Sequence, residues 1–152
     1  ALEAASNGIP ALAVSLETDI EHQLSNSDQI DFSVAAVFTC RFARQMLGQA
    51  MPPDVDLLKV EVPSDATSDT PWEVTRVSKH RYYIPLPPLR AAWDQPGPLG
   101  YTLSTELDQA PPDTDIAAVR RRRVAVSPLS LDLTSRTDLS ALDRLLRMDR
   151  KP

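Results

Sequence analysis

Residues Ala1–Leu16 read ALEAASNGIPALAVSL. Ala1-Leu2-Glu3-Ala4-Ala5 are strong helix formers. Gly8 stands where a left-handed C-terminal cap is expected, and Pro10 follows it. Ala11-Leu12-Ala13-Val14-Ser15-Leu16 is then a short apolar run bounded by turn signals, which predicts a strand buried on both faces. A helix leading straight into a buried strand is half of a βαβ unit, so the fold class is α/β, with a parallel sheet flanked by helices. The strand that should precede this helix is not in the sequence, and the chain opens without Met. The expectation is a C-terminal fragment of a larger protein, its N-terminal strands missing. An unusual but complete domain is the alternative.

Composition narrows the function classes. A chain of 152 residues with 42% hydrophobic and 24% charged residues suits a single domain over 1–152, or part of one. No apolar run reaches the ~18 residues a membrane helix needs, and no charged-then-apolar leader opens the chain, so no membrane partner is expected. The single Cys40 cannot form an internal disulfide, which argues for a reducing, cytoplasmic setting. Glycines occur only at 8, 48, 97 and 100, too sparse for a phosphate loop. The net charge of −5 argues against nonspecific nucleic-acid binding by the whole chain. That charge is uneven: −8 over residues 1–112 and +3 over 113–152, with Arg120-Arg121-Arg122-Arg123 causing most of the swing. Four arginines without interleaved aromatics read as a solvated helix end before they read as an anion or nucleic-acid patch.

Outward from the opening, residues 18–30 are polar and predict a loop. Asp31 can cap a helix from about Phe32 to Leu47, with Val34, Phe38, Phe42 and Met46 at i+4 spacing and Val37, Cys40, Ala43 and Leu47 widening the stripe. Gly48 supplies its stop. Cys40 is then expected to be a buried, inert thiol. Leu57–Val62 is a strand ended by Pro63. Trp72–Val77 alternates apolar and polar, predicting a half-exposed antiparallel strand. Tyr82–Ile84 and Tyr101–Ser104 are further strands, separated by Pro85, Pro87, Pro88, Pro96 and Pro98, which confine them to an edge, an extended arm or a stiff loop. Asp113 caps a short helix to Val119. Val124–Ser127 is a strand broken by Pro128. Thr137 can cap a last helix carrying Leu139, Leu142, Leu145 and Leu146, with Arg144, Arg147, Arg150 and Lys151 toward its end.

Candidate chemistry is sparse. Ser15, His22 and an Asp suggest a triad only by co-occurrence, because no Gly-x-Ser-x-Gly elbow is present. His22, His80 and Cys40 have no zinc-ligand spacing, and His80 between Lys79 and Arg81 reads as surface. Asp113-Thr114-Asp115 can present two carboxylates to a hard cation, with helix capping as the competing role. Location says more. Ligands of open α/β sheets bind beyond the carboxyl ends of the parallel strands, so Ser15 and the loop Glu17–Ile30 are expected to border the crevice.

The segments ALEAASNGIPALAVS (1–15), the helix around Phe38–Leu47, LLKVEVP (57–63), WEVTRV (72–77), DTDIAAV (113–119) and VAVSPLSLDLT (124–134) occur together in one order. In this the chain resembles the C-terminal part of the SurE survival proteins, metal-dependent 5′-nucleotidases. The resemblance covers nearly the whole chain. It departs at Arg121-Arg122-Arg123, where the family commonly has an acidic or Gly-Tyr turn. It implies a Rossmann-like domain with a projecting β-hairpin arm at about 78–112 and a C-terminal exchange segment with a helix at about 135–150. It also implies a homo-dimer or tetramer built through those pieces. The implied substrate is a nucleoside monophosphate and the implied cofactor a divalent metal, Mg²⁺ or Mn²⁺. The family's metal ligands (an Asp pair, a Ser and an Asn) match no position here, so no catalytic or metal-binding residue is assigned. Ser15 and Asp115 are the residues expected nearest the substrate. The helix ending at Ala1–Asn7 would be the one whose N-terminus faces the phosphate. The 152 residues alone are expected to be inactive. A non-catalytic oligomerisation module is the competing function.

Overall fold

Helix α1 (Leu2–Ser6) ends where its glycine requires. Gly8 has φ of 71°. Its N–H reaches Ala5 O at 2.9 Å, and the Ile9 N–H reaches Ala4 O at 3.0 Å. This paired closure needs a left-handed residue, which glycine supplies without a Cβ clash. The structure is a computed structural model and describes residues 1–19, 22, 28–98, 100–104 and 109–147.

After the turn the chain enters β1 (Ala11–Leu16). Helix α2 (Ser33–Gly48) follows, then β2 (Leu57–Val62), β3 (Trp72–Val74), β4 (Tyr83–Leu86) and β5 (Gly100–Leu103). Helix α3 (Asp115–Arg120), strand β6 (Val124–Leu129) and helix α4 (Leu139–Arg147) complete the order. The main sheet runs β1-β2-β6-β3, and β4 and β5 form a separate antiparallel hairpin. β1 lies parallel to β2 from Ala11↔Leu57 to Leu16↔Val62. β6 is antiparallel to β2 and parallel to β3. The class is thus mixed α/β with a mostly parallel sheet flanked by helices.

Side chains alternate across a strand, so each face of the sheet has its own cover. On one face Leu58, Val60, Val62, Val124 and Val126 pack against Ala35, Phe38, Phe42 and Met46 of α2. On the other, Ala11 and Leu57 meet Ala5 of α1, and α3 lies against β6 and β2.

Several expectations change. The stripe of α2 is Ala35, Phe38, Phe42 and Met46, and Cys40 is exposed rather than buried. Two residues past Phe38 is about 200° around the helix, on the far side. Val37 and Leu47 are exposed for the same reason. Gly48 is the last residue of α2 and not its stop; Gln49 leaves in an extended conformation. Asp31 does accept the Ser33 N–H at 2.8 Å. β1 is not buried on both faces: residues 12–14 and 16 are half-buried and Ser15 is exposed, because β2 is its one neighbour among the described residues. β3 is shorter than expected and pairs parallel. Its alternation is inverted, with Trp72, Val74 and Val77 exposed and Thr75 buried. Trp72 nevertheless packs edge-on against Phe42, with ring centroids 5.4 Å apart.

Pro128 does not break β6, which continues to Leu129. β3 extends only to Val126, so on that side no described strand asks residue 128 for an N–H. Thr114, not Asp113, is the cap position of α3. Asp138, not Thr137, caps α4, accepting the Ser140 and Ala141 N–H groups at 2.9 and 3.1 Å. The expected roles of Arg150 and Lys151, and residues 20–21 and 23–27 of the loop after β1, lie outside the described residues.

Candidate crevice at the carboxyl ends of the parallel strands

β1 and β2 end side by side at Leu16 and Val62, and the Glu17 N–H extends their pairing to Val62 O at 2.8 Å. Beside this end lies an open cavity of about 550 Å³. Val14, Ser15 and Leu16 line it from β1, Thr18 and His22 from the following loop, and Phe32 and Thr39 from α2 and its approach. Ser15 and His22 both line this cavity. No Asp or Glu lines that wall among the described residues, so those residues supply no acid for a triad.

Asp115 lies elsewhere. It is 2% exposed, on the α3 side of the sheet. Its Oδ1 accepts the Ser78 and Ile116 N–H groups, each at 2.8 Å. Its Oδ2 accepts from Lys59 Nζ at 2.9 Å. Lys59 also pairs with Glu61 at 2.8 Å. Burial pulls the Lys59 ammonium down, but hydrogen bonds and charge from Glu61 and Asp115 outweigh it and hold the group above its ordinary value. The structure thus does not bring Ser15 and Asp115 together. Asp113 turns to Arg76, whose Nε donates at 2.8 Å and holds that carboxyl below its ordinary range. The two carboxylates of Asp113-Thr114-Asp115 face different partners.

A second group of charges gathers where β1 and β2 end. Glu17 Oε2 accepts from Ser64 N at 3.0 Å, Ser64 Oγ at 3.1 Å and Arg122 Nη1 at 2.7 Å. Arg122 Nε donates to Asp65 Oδ1 at 2.8 Å, and Nη2 to Ser64 Oγ at 3.0 Å. Burial raises the Glu17 carboxyl, yet the Ser64 and Arg122 bonds bring it below its ordinary value. Arg121 and Arg123 both pair with Glu73. Three arginines of the 120–123 run are therefore committed to carboxylates, which removes most of the free positive surface a polyanion would need.

Ser64 and Lys59 were not singled out from sequence, Glu17 stood out only as the start of the crevice loop, and Arg122 only as one of the 120–123 run and not as a partner of these residues. Lys59 and Glu61 had a local signal, since i and i+2 on a strand share a face. Arg122 had none, because its partners lie in loops distant in sequence.

No group of three or more His, Cys, Asp or Glu residues among those described is placed to hold a metal ion. Asp115 is neutralised by Lys59, and Asp113 by Arg76. The described residues do not fit a divalent-metal site. No described helix is long and apolar enough to cross a membrane.

Comparison with known proteins agrees with the architecture. The family described as "Survival protein SurE" matches residues 1–84. The chain is 38% identical over 148 residues to the 5′-nucleotidase SurE of Thermococcus gammatolerans, covering 96% of this chain and 54% of that protein. It is 37% identical over 146 residues to 5′-nucleotidase SurE 1 of Thermus thermophilus, covering 96% and 53%. The crystal structure of the SurE protein from Aquifex aeolicus superposes with a TM-score of 0.58 at 23% identity, over 95% of this chain and 55% of that one. This chain spans about half the length of the curated relatives it matches.

Proposed function

The chain belongs to the SurE survival-protein family, and on that premise we propose that its full gene product is a 5′-nucleotidase that hydrolyses nucleoside monophosphates. The observation that carries this reading is the 38% identity to a protein named 5′-nucleotidase SurE, sustained over 96% of this chain. The crevice at the carboxyl ends of β1 and β2 supports it, because that is where open α/β sheets hold phosphate-bearing ligands. Ser15 and Thr18, on the cavity wall, would border the substrate. Asp115 would serve from beneath, fixing β2 to α3 and to the start of the hairpin segment at Ser78.

A divalent cation, Mg²⁺ or Mn²⁺, belongs to the proposal as a property of the full gene product. The described residues do not fit it. The test is release of inorganic phosphate from nucleoside monophosphates with added Mn²⁺ or Mg²⁺. The full gene product should turn over and the isolated 152 residues should not. Metal-dependent turnover by the 152 residues alone would place the catalytic groups within them and overturn that assignment. A cytoplasmic location accompanies the proposal.

A second reading, an oligomerisation module, is favoured by α4. Leu139, Leu142, Leu145 and Leu146 are all exposed, and Leu133 before them is 93% exposed. A leucine face open to water is a cost that a partner surface removes. We propose a homo-dimer or tetramer formed through the hairpin arm and this C-terminal segment. Leu142→Asp with Leu145→Asp should lower the mass found by light scattering; an unchanged mass would sink the role of α4.

A further inference from the structure

Two helices in this chain close with the same pair of backbone hydrogen bonds, one on a glycine and the other on an arginine. At the end of α3, the Arg122 N–H reaches Val119 O at 2.9 Å and the Arg123 N–H reaches Ala118 O at 3.0 Å. Arg122 has φ of 58°, the left-handed conformation that Gly8 adopts after α1. A side chain is disfavoured there, and an interaction outside the helix can offset that cost. The guanidinium supplies one. It bonds Glu17, one residue past β1, and Ser64 and Asp65, just past β2. Ser64 in turn donates its N–H to the same Glu17 oxygen. The exits of both parallel strands and the turn after α3 are joined through one side chain.

We propose that Arg122 is a positioning residue for the substrate crevice. It pins the first residues of the two loops that leave β1 and β2, so the wall carrying Ser15 and Thr18 is set before substrate arrives. Arg122 does not anchor the phosphate itself, because Glu17 and Asp65 together outweigh its charge and leave the cluster net negative. The role depends on the planar fork, which spreads three donating nitrogens over separate acceptors; a lysine ammonium cannot reach all of them. This proposal rests on the phosphatase reading for its substrate.

The test compares Arg122→Gly and Arg122→Lys with wild type in the full gene product. Glycine relieves the left-handed backbone, so Arg122→Gly should keep or raise the Tm. Its KM for a nucleoside monophosphate should rise about tenfold with kcat within about twofold, because only substrate positioning is lost. Amide exchange at Ser64 should quicken about tenfold with loss of the pin, independently of any activity. Arg122→Lys should not restore either property. A purely structural arginine would instead lower the Tm and leave KM unchanged, and that result overturns the proposal. Absence of monophosphate turnover in the wild-type protein would defeat the phosphatase reading, whereas unchanged exchange at Ser64 would defeat the pin.

Discussion

Lys59 Nζ lies 2.9 Å from Asp115 Oδ2, tying the middle of β2 to the first turn of α3. Asp115 is almost wholly buried, and it also holds the Ser78 N–H, where the chain leaves for the hairpin. One carboxylate thus braces strand, helix and the base of the β4–β5 segment. Removing it leaves Lys59 with Glu61 alone and takes the acceptor from the Ser78 and Ile116 N–H groups. Asp115→Ala should cost about 2–4 kcal/mol in urea unfolding. In a cycle with Lys59→Met, the double variant should lose less than the sum of the single losses. Additive losses would show that the pair does not interact. Because Lys59 is raised in the folded state, its contribution is complete below the ordinary lysine value of about 10.4. It is lost as pH rises through the folded value.

Glu17 has the opposite sign. Its folded pKa is lowered, so its contribution is present above the ordinary glutamate value of about 4.3. That contribution disappears as pH falls through the folded value. Urea midpoints should therefore fall on going from pH 7 to pH 3. Glu17→Gln should lower the midpoint at pH 7 and flatten the acid limb. An acid limb of unchanged depth in that variant would remove Glu17 from the account.

Thr75 Oγ1 and Ser127 Oγ share a buried hydrogen bond of 2.9 Å. Either hydroxyl left alone there has no water to replace its partner. Thr75→Val or Ser127→Ala should each cost about 1–3 kcal/mol, and the double variant should cost little more than one of them. Chemical denaturation of the four proteins measures this directly.

Cys40 stands on the solvent side of α2. It should react with a water-soluble thiol reagent in the native protein at a rate close to that in urea. Cys40→Ser should change stability by no more than about 0.5 kcal/mol. Native protection of the thiol would place it back in the core.

The legible parts of the fold were those with a local cause. Gly8 marked its own left-handed turn, and Leu57–Val62 was found at its true bounds because β-branched and apolar residues persist between two turn signals. The crevice was legible only as a location, through Ser15 at the end of a strand. Cys40 was misplaced because a hydrophobic pattern cannot say which of two faces meets the core. A helix stripe broad enough to include Cys40 fits the sequence as well as the narrower one observed. For β3 the inward residue is Thr75, whose burial depends on Ser127 far along the chain. The pairing of Arg122 was not legible for the same reason, and the run Arg120–Arg123 read only as a solvated helix end. The Arg122 backbone gives no hint of left-handed geometry, and Glu17 and Asp65 reach that residue only after β1, β2 and α3 have assembled.

The position of β6 between β2 and β3 sets an order of events during synthesis. β1 and β2 can zip together as soon as Val62 has left the ribosome. β3 is made soon afterwards, but its ladder partner is β6, and Val124–Leu129 emerges only after the whole hairpin segment. Until then the second edge of β2 is bare and Trp72–Val74 has no strand to join. The nascent chain therefore carries an open seam from the completion of β2 until β6 emerges, and that interval is when its edge is exposed to wrong partners.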